Sequence, residues 1–596
     1  MFTWSDGPSR HWTRRPHVYV RPVVAEARPC PAGRRPDGPG ADGGRLRDAD
    51  SALQFPTGSL QLCDSVTTLL CDRSEFLTRP RRRREGRRRP APECADEHGA
   101  TRTQKSCSSG QSHREIPMPA FRHHPLEFRT GRSATGPLTW GQLAIWDVIR
   151  WLPGNGSSLN SAARRDVPPG TSLDRLLGTL RTLVERHDSL HTRYHETPDG
   201  PRQEVVGAGE VDVRIREIGA EPVDRVAGRV AESVRALPFD TAVDLPLRPV
   251  VLTRSSAPVA VLLVVSHLAV DGWSLAVVGA DLAALLRAEP LPPPSEQPLA
   301  RARYETTDLA RSRERKALAY WREEIEALPA RMLGPAGPAD GPEAELLWSR
   351  MESAALACAV RSLSLRTGAE AGTVVLAATA ALLAVRTGER EAGLRTLVST
   401  RFRPEDRRLV GAFNQNAIFR IGPREETLAE FVRRARNITL RAFRHTEYDP
   451  RKLEPMIAGI AGRRGVAAGR YCFFNDIRFG VSRRIGPPDP AAADAAAAGV
   501  PRRLGETTFG VPPLQSPPKG AGFFAFLDGD ADHAVVTVGV AEGFFPSGGA
   551  EEFLRDLERL VTRGAVTPEP VRALCAGSGS GAQGDAWART DGRESA

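Results

Sequence analysis

The strongest constraint on folding in this chain is an uninterrupted apolar run, Val259-Ala260-Val261-Leu262-Leu263-Val264-Val265. Its length and β-branching are those of a buried strand. The run breaks off into Ser266-His267-Leu268-Ala269-Val270-Asp271-Gly272-Trp273-Ser274. An imidazole is thereby placed where a core strand leaves its sheet, a position that rigid packing can hold still. Asp271 follows four residues later, and Gly272 lets the backbone turn or come close to another segment. A histidine beside a strand is commonly just a hydrogen-bonded core residue, so His-x-x-x-Asp alone says little. The longer string Ser-His-x-x-x-Asp-Gly-Trp-Ser is much rarer and marks the best candidate for chemistry in the sequence.

A length of 596 residues allows several domains. The content of 40% hydrophobic and 26% charged residues is that of a soluble globular protein. No apolar stretch reaches the roughly 18 residues a membrane span needs. The first twenty residues carry Arg10, Arg14 and Arg15 and no apolar core, which argues against a secretory signal. A cytoplasmic location with no membrane contact is expected. The net charge of +10 invites a nucleic-acid reading. Residues 1–130, however, hold 23 Lys+Arg against 15 Asp+Glu, and the remainder holds 59 against 57. The basic character belongs to the N-terminal part, and the rest gives no electrostatic footprint for DNA or RNA. The eight cysteines form no Cys-x-x-Cys and no zinc spacing with histidine. Reduced thiols and no metal are expected.

Residues 1–130, rich in Arg, Pro and Gly without a sustained apolar period, read as disordered. The run Arg81-Arg82-Arg83-Arg84-Glu85-Gly86-Arg87-Arg88-Arg89 reads as a solvated stretch or as an anion-binding patch. Met118 stands shortly before the ordered part, so the upstream residues are candidates for a start-site artefact. A first lobe is assigned to 131–300. Within it, Leu173, Leu176, Leu177, Leu180, Leu183 and Val184 keep a 3.6-residue period and predict a helix over 172–187. Alternation over 211–215 predicts a strand, and 275–287 a helix packed behind the histidine. The proline-rich break 290–298 ends this lobe. The second lobe, 301–570, opens with a charged helix over 309–328. Helices follow at 355–366 and 371–386, strands at 397–400, 416–421 and 535–540, and a closing helix at 549–562. Residues 487–513 read as a loop insertion, and 571–596 as a flexible tail.

The histidine string resembles the His-His-x-x-x-Asp-Gly motif of condensation domains from nonribosomal peptide synthetases, with Ser266 in place of the first histidine. Other segments resemble further motifs of that family in its order: Leu138-Thr139-Trp140-Gly141-Gln142-Leu143-Ala144-Ile145-Trp146, Arg186-His187-Asp188-Ser189-Leu190-His191-Thr192, Tyr320-Trp321, Val410-Gly411-Ala412-Phe413-Asn414-Gln415-Asn416, and His445-Thr446-Glu447-Tyr448-Asp449-Pro450. The resemblance covers about 137–565. It implies an α/β fold with mixed sheets: two chloramphenicol acetyltransferase-like lobes forming a V-shaped pseudodimer, with a channel between them.

The resemblance also implies a reaction. An acyl group held as a carrier-protein phosphopantetheine thioester passes to a small-molecule amine or hydroxyl acceptor. An amide or ester of a nonribosomal peptide or related specialised metabolite results. No adenylation or carrier motif accompanies it, so the donor is expected in trans, on a carrier protein or coenzyme A. No cofactor is expected to stay bound, and a monomer is expected. His267 is the candidate base or positioner of the acceptor. Gly272 supplies the turn, and its N–H is a weaker candidate for facing the oxyanion. Asp271 is read as structural, paired with Arg186, and Ser266 as shaping the loop. Asn414 and Asn416 line the substrate channel or end a strand; Trp273 touches the channel or packs in the core. His191 and Gln415 depart from the family pattern. Two other readings keep the fold: a coenzyme A-dependent O-acyltransferase, and a catalytically silent domain that recruits a partner.

Overall fold

The computed structural model describes residues 2–4, 120–333, 346–466, 471–478, 487–512, 521–546 and 548–576. The expectations for the Arg81–Arg89 run and for Met118 lie outside the described residues, as does the tail from 577 onward. The boundary expected at 130 is displaced: strand Arg122–Arg129 already belongs to the first sheet. Its alternating burial, with Leu126 and Phe128 inward, was obscured by His123, His124 and Pro125. The tail likewise begins later than expected, because Val571–Ala576 is helical.

The first lobe is built on a six-stranded mixed sheet. Its order is Phe2–Trp4, Ser161–Asp166, Ala257–Val265, Leu247–Arg254, Ala208–Glu217, Arg122–Arg129. The apolar run is its strand Ala257–Val265, hydrogen-bonded on both edges in antiparallel register. Both faces of this strand are covered. Val261, Leu263 and Val265 pack with helices Leu173–Arg186 and Gly272–Leu286. Ala260, Leu262 and Val264 pack with helix Val223–Arg235. A strand sandwiched in this way has no solvent face, which is why the sequence shows no alternation.

The second lobe carries a seven-stranded mixed sheet. Its order is Asn414–Ile421, Ala392–Ser399, Tyr471–Asp476, Ala521–Gly529, Ala534–Ala541, Leu346–Ser353, Thr508–Gly510. Helix Ala371–Thr387, apolar nearly all round, lies buried in this lobe's core. Residues 487–513 are not simply loop: Pro490–Ala497 and Val500–Arg503 are helical. Asp489 caps the first, accepting from the Ala492 N–H, and the alanine run behind it is the best helix former available. A small third sheet joins Ala134–Pro137, Arg202–Val205 and Thr192–His195. Among the described residues no single helix is long and apolar enough to cross a membrane.

Candidate active site between the two halves

His267 leaves the end of the central strand, as its sequence position required. Its Nδ1 lies 2.6 Å from the Val270 carbonyl oxygen. A carbonyl only accepts, so Nδ1 carries the proton and, in the neutral ring, Nε2 keeps its lone pair. Nε2 is buried and finds no partner among the described residues. Burial holds the imidazole below its ordinary pKa, against the opposing pull of the Val270 carbonyl and Asp271. The ring is therefore neutral at pH 7, oriented by its own loop, with one basic nitrogen unused.

The ring is also closed off: His267 is 1% exposed. Direct access from an open channel, implied by the family resemblance, is not present in this state. A shallow crevice is lined by Ala144 of the first lobe and by Leu397, Asn414, Asn416, Tyr448 and Glu454 of the second. It thus brings Asn414 and Asn416 together on one wall, while His267 is not among its lining residues. Both asparagines also belong to strand Asn414–Ile421, opposite Ser399 and Leu397.

Asp271 is structural, but its expected pairing with Arg186 is wrong. Its carboxylate is gripped by Arg401, Nη1 to Oδ2 at 2.7 Å and Nη2 to Oδ1 at 3.0 Å. It also accepts from the Ser274 N–H and hydroxyl, both at 2.8 Å, and from the Phe413 N–H at 3.0 Å. Burial pushes this carboxyl up, yet Arg401 and Ser274 outweigh it and hold the group below the usual carboxylate range. Asp271 caps the N-terminus of helix Gly272–Leu286 at the same time. Arg186 instead pairs with Asp281 at 2.9 Å. Asp281 is shared with Arg408 and with His187 Nε2 at 3.1 Å. Two acidic residues on one helix, Asp271 and Asp281, thus bind two different arginines of the loop after Ser399, and Arg186 reaches only the second.

Gly272 is the first residue of the helix and has no positive φ, so it does not make the turn expected of it. Ser266 closes that turn through its backbone: its carbonyl accepts from the Ala269 N–H at 3.0 Å, and its N–H donates to Pro246 O at 3.0 Å. Trp273 is half-buried against the first-lobe core, and its Nε1–H donates to Arg407 O at 2.9 Å. Of the two further departures from the family pattern, His191 Nδ1 meets Val206 O at 2.8 Å while its Nε2 lies 3.6 Å from Asp188 Oδ1, and the Gln415 amide donates to Tyr448 O at 3.1 Å.

Sequence reasoning missed Arg401. Its guanidinium also reaches Leu409 O, Gly411 O and the Ser274 hydroxyl, so it ties the loop 400–413 to itself and to the motif helix. The available signal was a strand ending at Ser399 followed by an arginine, just ahead of Val410-Gly411.

A condensation-domain family profile matches residues 135–457. Phosphinothricin tripeptide synthetase PhsB of Streptomyces viridochromogenes is 29% identical over 350 residues, covering 55% of this chain and 28% of that protein. The antimetabolite synthetase AmbB of Pseudomonas aeruginosa is 30% identical over 298 residues, covering 49% of this chain and 24% of that one. The chain thus spans about a quarter of the length of these relatives. Among solved structures, the SgcC5 protein of Streptomyces globisporus superposes with a TM-score of 0.53 at 21% identity, over 73% of this chain and all of that one. The first condensation domain of the CDA synthetase gives 0.51 at 18%, over 74% of this chain and 98% of that one. The chain belongs to the condensation-domain family, and its fold is the chloramphenicol acetyltransferase-like fold of that family.

Proposed function

We propose that this chain transfers an acyl group from a carrier-protein phosphopantetheine thioester to a small-molecule amine or hydroxyl, in nonribosomal peptide or related biosynthesis in the cytoplasm. One observation carries the reading: a neutral imidazole fixed through Nδ1 to Val270 O, with Nε2 basic and unpartnered. The acceptor's N–H or O–H donates to His267 Nε2, and its heteroatom attacks the thioester carbonyl. As the new C–N or C–O bond forms, the imidazole takes the proton and negative charge collects on the carbonyl oxygen. The Asp271 carboxylate already caps this helix end and takes the Ser274 N–H, so the Gly272 N–H is the donor assigned to such an oxygen. Collapse breaks the C–S bond, and the imidazolium returns its proton to the departing thiolate.

The test is incubation with an acyl-loaded carrier and a panel of amines and alcohols, with products read by mass spectrometry. Product formation that disappears in His267→Ala supports the reading. Product at undiminished rate in that variant ends it. Acyl-coenzyme A in place of the carrier separates the O-acyltransferase reading from it. The burial of His267 favours a second reading, a silent domain that recruits a partner. That reading requires no turnover with any donor, together with stable capture of a carrier-borne peptide.

A further inference from the structure

Three successive peptide carbonyls follow His267, and each accepts from a different buried side chain. Leu268 O accepts from the Tyr194 hydroxyl at 3.2 Å, Ala269 O from the Ser189 hydroxyl at 2.7 Å, and Val270 O from His267 Nδ1 at 2.6 Å. Ser189 and Tyr194 are both buried, so water does not compete for either hydroxyl. The peptide unit joining Leu268 to Ala269 is held at both ends, because its N–H donates to Ser266 O at 3.0 Å. The next unit, joining Ala269 to Val270, is held at its oxygen by Ser189. The unit after that carries Val270 O, and its N–H, that of Asp271, donates to Gly411 O of the second half at 3.2 Å.

The two hydroxyls come from one short segment of the first lobe. Ser189 lies in the helical turn Asp188–His191, and Tyr194 in the strand Thr192–His195 directly after it. That segment is itself anchored. Asp188 pairs with Arg132 at 2.8 Å, the Thr192 hydroxyl donates to Asp188 O at 2.6 Å, and the Tyr194 N–H donates to Thr241 O at 2.8 Å. Burial pushes the Tyr194 phenol above its ordinary pKa, so it stays a donor.

We propose that Ser189 and Tyr194 are positioning residues for His267. They fix the two carbonyls ahead of Val270 from the first lobe, so that Val270 O stays on Nδ1 and Nε2 stays the basic nitrogen. A carbonyl in a sealed interior has no water to turn to. Removing its hydroxyl partner therefore frees the peptide unit to rotate toward another donor, and Val270 moves with it. The ring then loses the acceptor that selects its tautomer. When the halves part and the Gly411 bond breaks, the two hydroxyls are holds that remain. The catalytic value of this tautomer rests on the condensation reading; the hold on the ring does not.

Nuclear magnetic resonance of the full chain labelled with ¹⁵N-histidine tests it by reading the tautomer, the His267 ring being assigned by its loss in His267→Gln. The native ring should show one form, protonated at Nδ1. In Ser189→Ala and in Tyr194→Phe a second form, protonated at Nε2, should appear. Their kcat in the carrier assay should fall roughly tenfold, with KM within about twofold of native. Ser189→Cys, which keeps a weak donor of similar size, should recover part of both. A native ring protonated at Nε2 overturns the proposal, and that observation needs neither hydroxyl variant to fold. A ring held wholly in the Nδ1 form in both hydroxyl variants also overturns it, even where their melting temperatures drop, because the hydroxyls then serve stability alone. A tautomer shift in the variants, with no product from the native chain on any donor, counts against the condensation reading and leaves the hold on the ring standing.

Discussion

Replacing Arg401 by methionine should be among the most damaging single changes available in this chain. The Asp271 and Arg401 side chains are 0% and 3% exposed. Removing one partner of such a pair leaves a buried charge uncompensated, which costs about 3–5 kcal/mol. The Ser274 and Phe413 donors remain on Asp271, so the lower end, about 3 kcal/mol, applies. Arg186→Met should cost less, below about 2 kcal/mol, because Asp281 keeps Arg408 and His187. The pH dependence follows with its sign. In the native chain Asp271 titrates below its unfolded value, so its stabilisation is present above the ordinary carboxylate range and is lost as pH falls through the lowered value. Without Arg401, burial dominates and raises the same group, so the penalty of holding it charged fades as pH falls. The gap between native and Arg401→Met should therefore be full at pH 7.5 and shrink toward pH 5. Guanidinium unfolding at the two pH values measures it, and a cycle with Asp271→Asn isolates the pair. The reasoning fails if the gap at pH 7.5 is under about 1 kcal/mol, if it does not narrow, or if Arg186→Met costs as much.

Three further outcomes are expected. His267→Ala should lower turnover by roughly 10²–10⁴, checked by product mass spectrometry well below the melting temperature of the variant, which the lost ring also lowers. The acid limb of the rate profile should lie below the ordinary histidine range, because burial lowers His267 and the base must be neutral; a limb above that range would contradict it. Gly141→Ala should loosen the contact between the halves, since its Cβ would land on the Ala412 carbonyl oxygen, backbone that can yield only by moving. A cost of about 1–3 kcal/mol is expected in guanidinium unfolding, and an unchanged midpoint would show that the halves already separate freely.

What was legible in the sequence was local. The 3.6-residue period of Leu173–Arg186 and the run ending at Val265 each specify an element through neighbours in the chain. The histidine's position at a strand exit follows from the same run. The partner of Asp271 was not legible, because it lies 130 residues away across two sheets and the chain offers many arginines. Family resemblance pointed to Arg186, which lies close by but is taken by Asp281. The helices inside 487–513 were hidden for the opposite reason: proline and glycine at their ends read as loop, while both prolines serve as first-turn residues. Also illegible was how closely the second half approaches the motif, through Asp271, Trp273 and Ser274.

That approach separates two properties of the site. The histidine's orientation is set within its own loop, by the Val270 carbonyl three residues on. The closure between the halves is set one step further along, at Asp271, Trp273 and Ser274, which bind Arg401, Arg407 and Gly411. A movement of the second half that admits substrate would have to strain or break those later contacts, yet it would leave the Nδ1 bond untouched. The imidazole can thus stay in one tautomer, with Nε2 basic, through an opening motion. The bonds of Asp271 hold the halves together and cap the motif helix, while its charge favours the protonated form of His267, so its loss should appear in stability as well as in the pH profile.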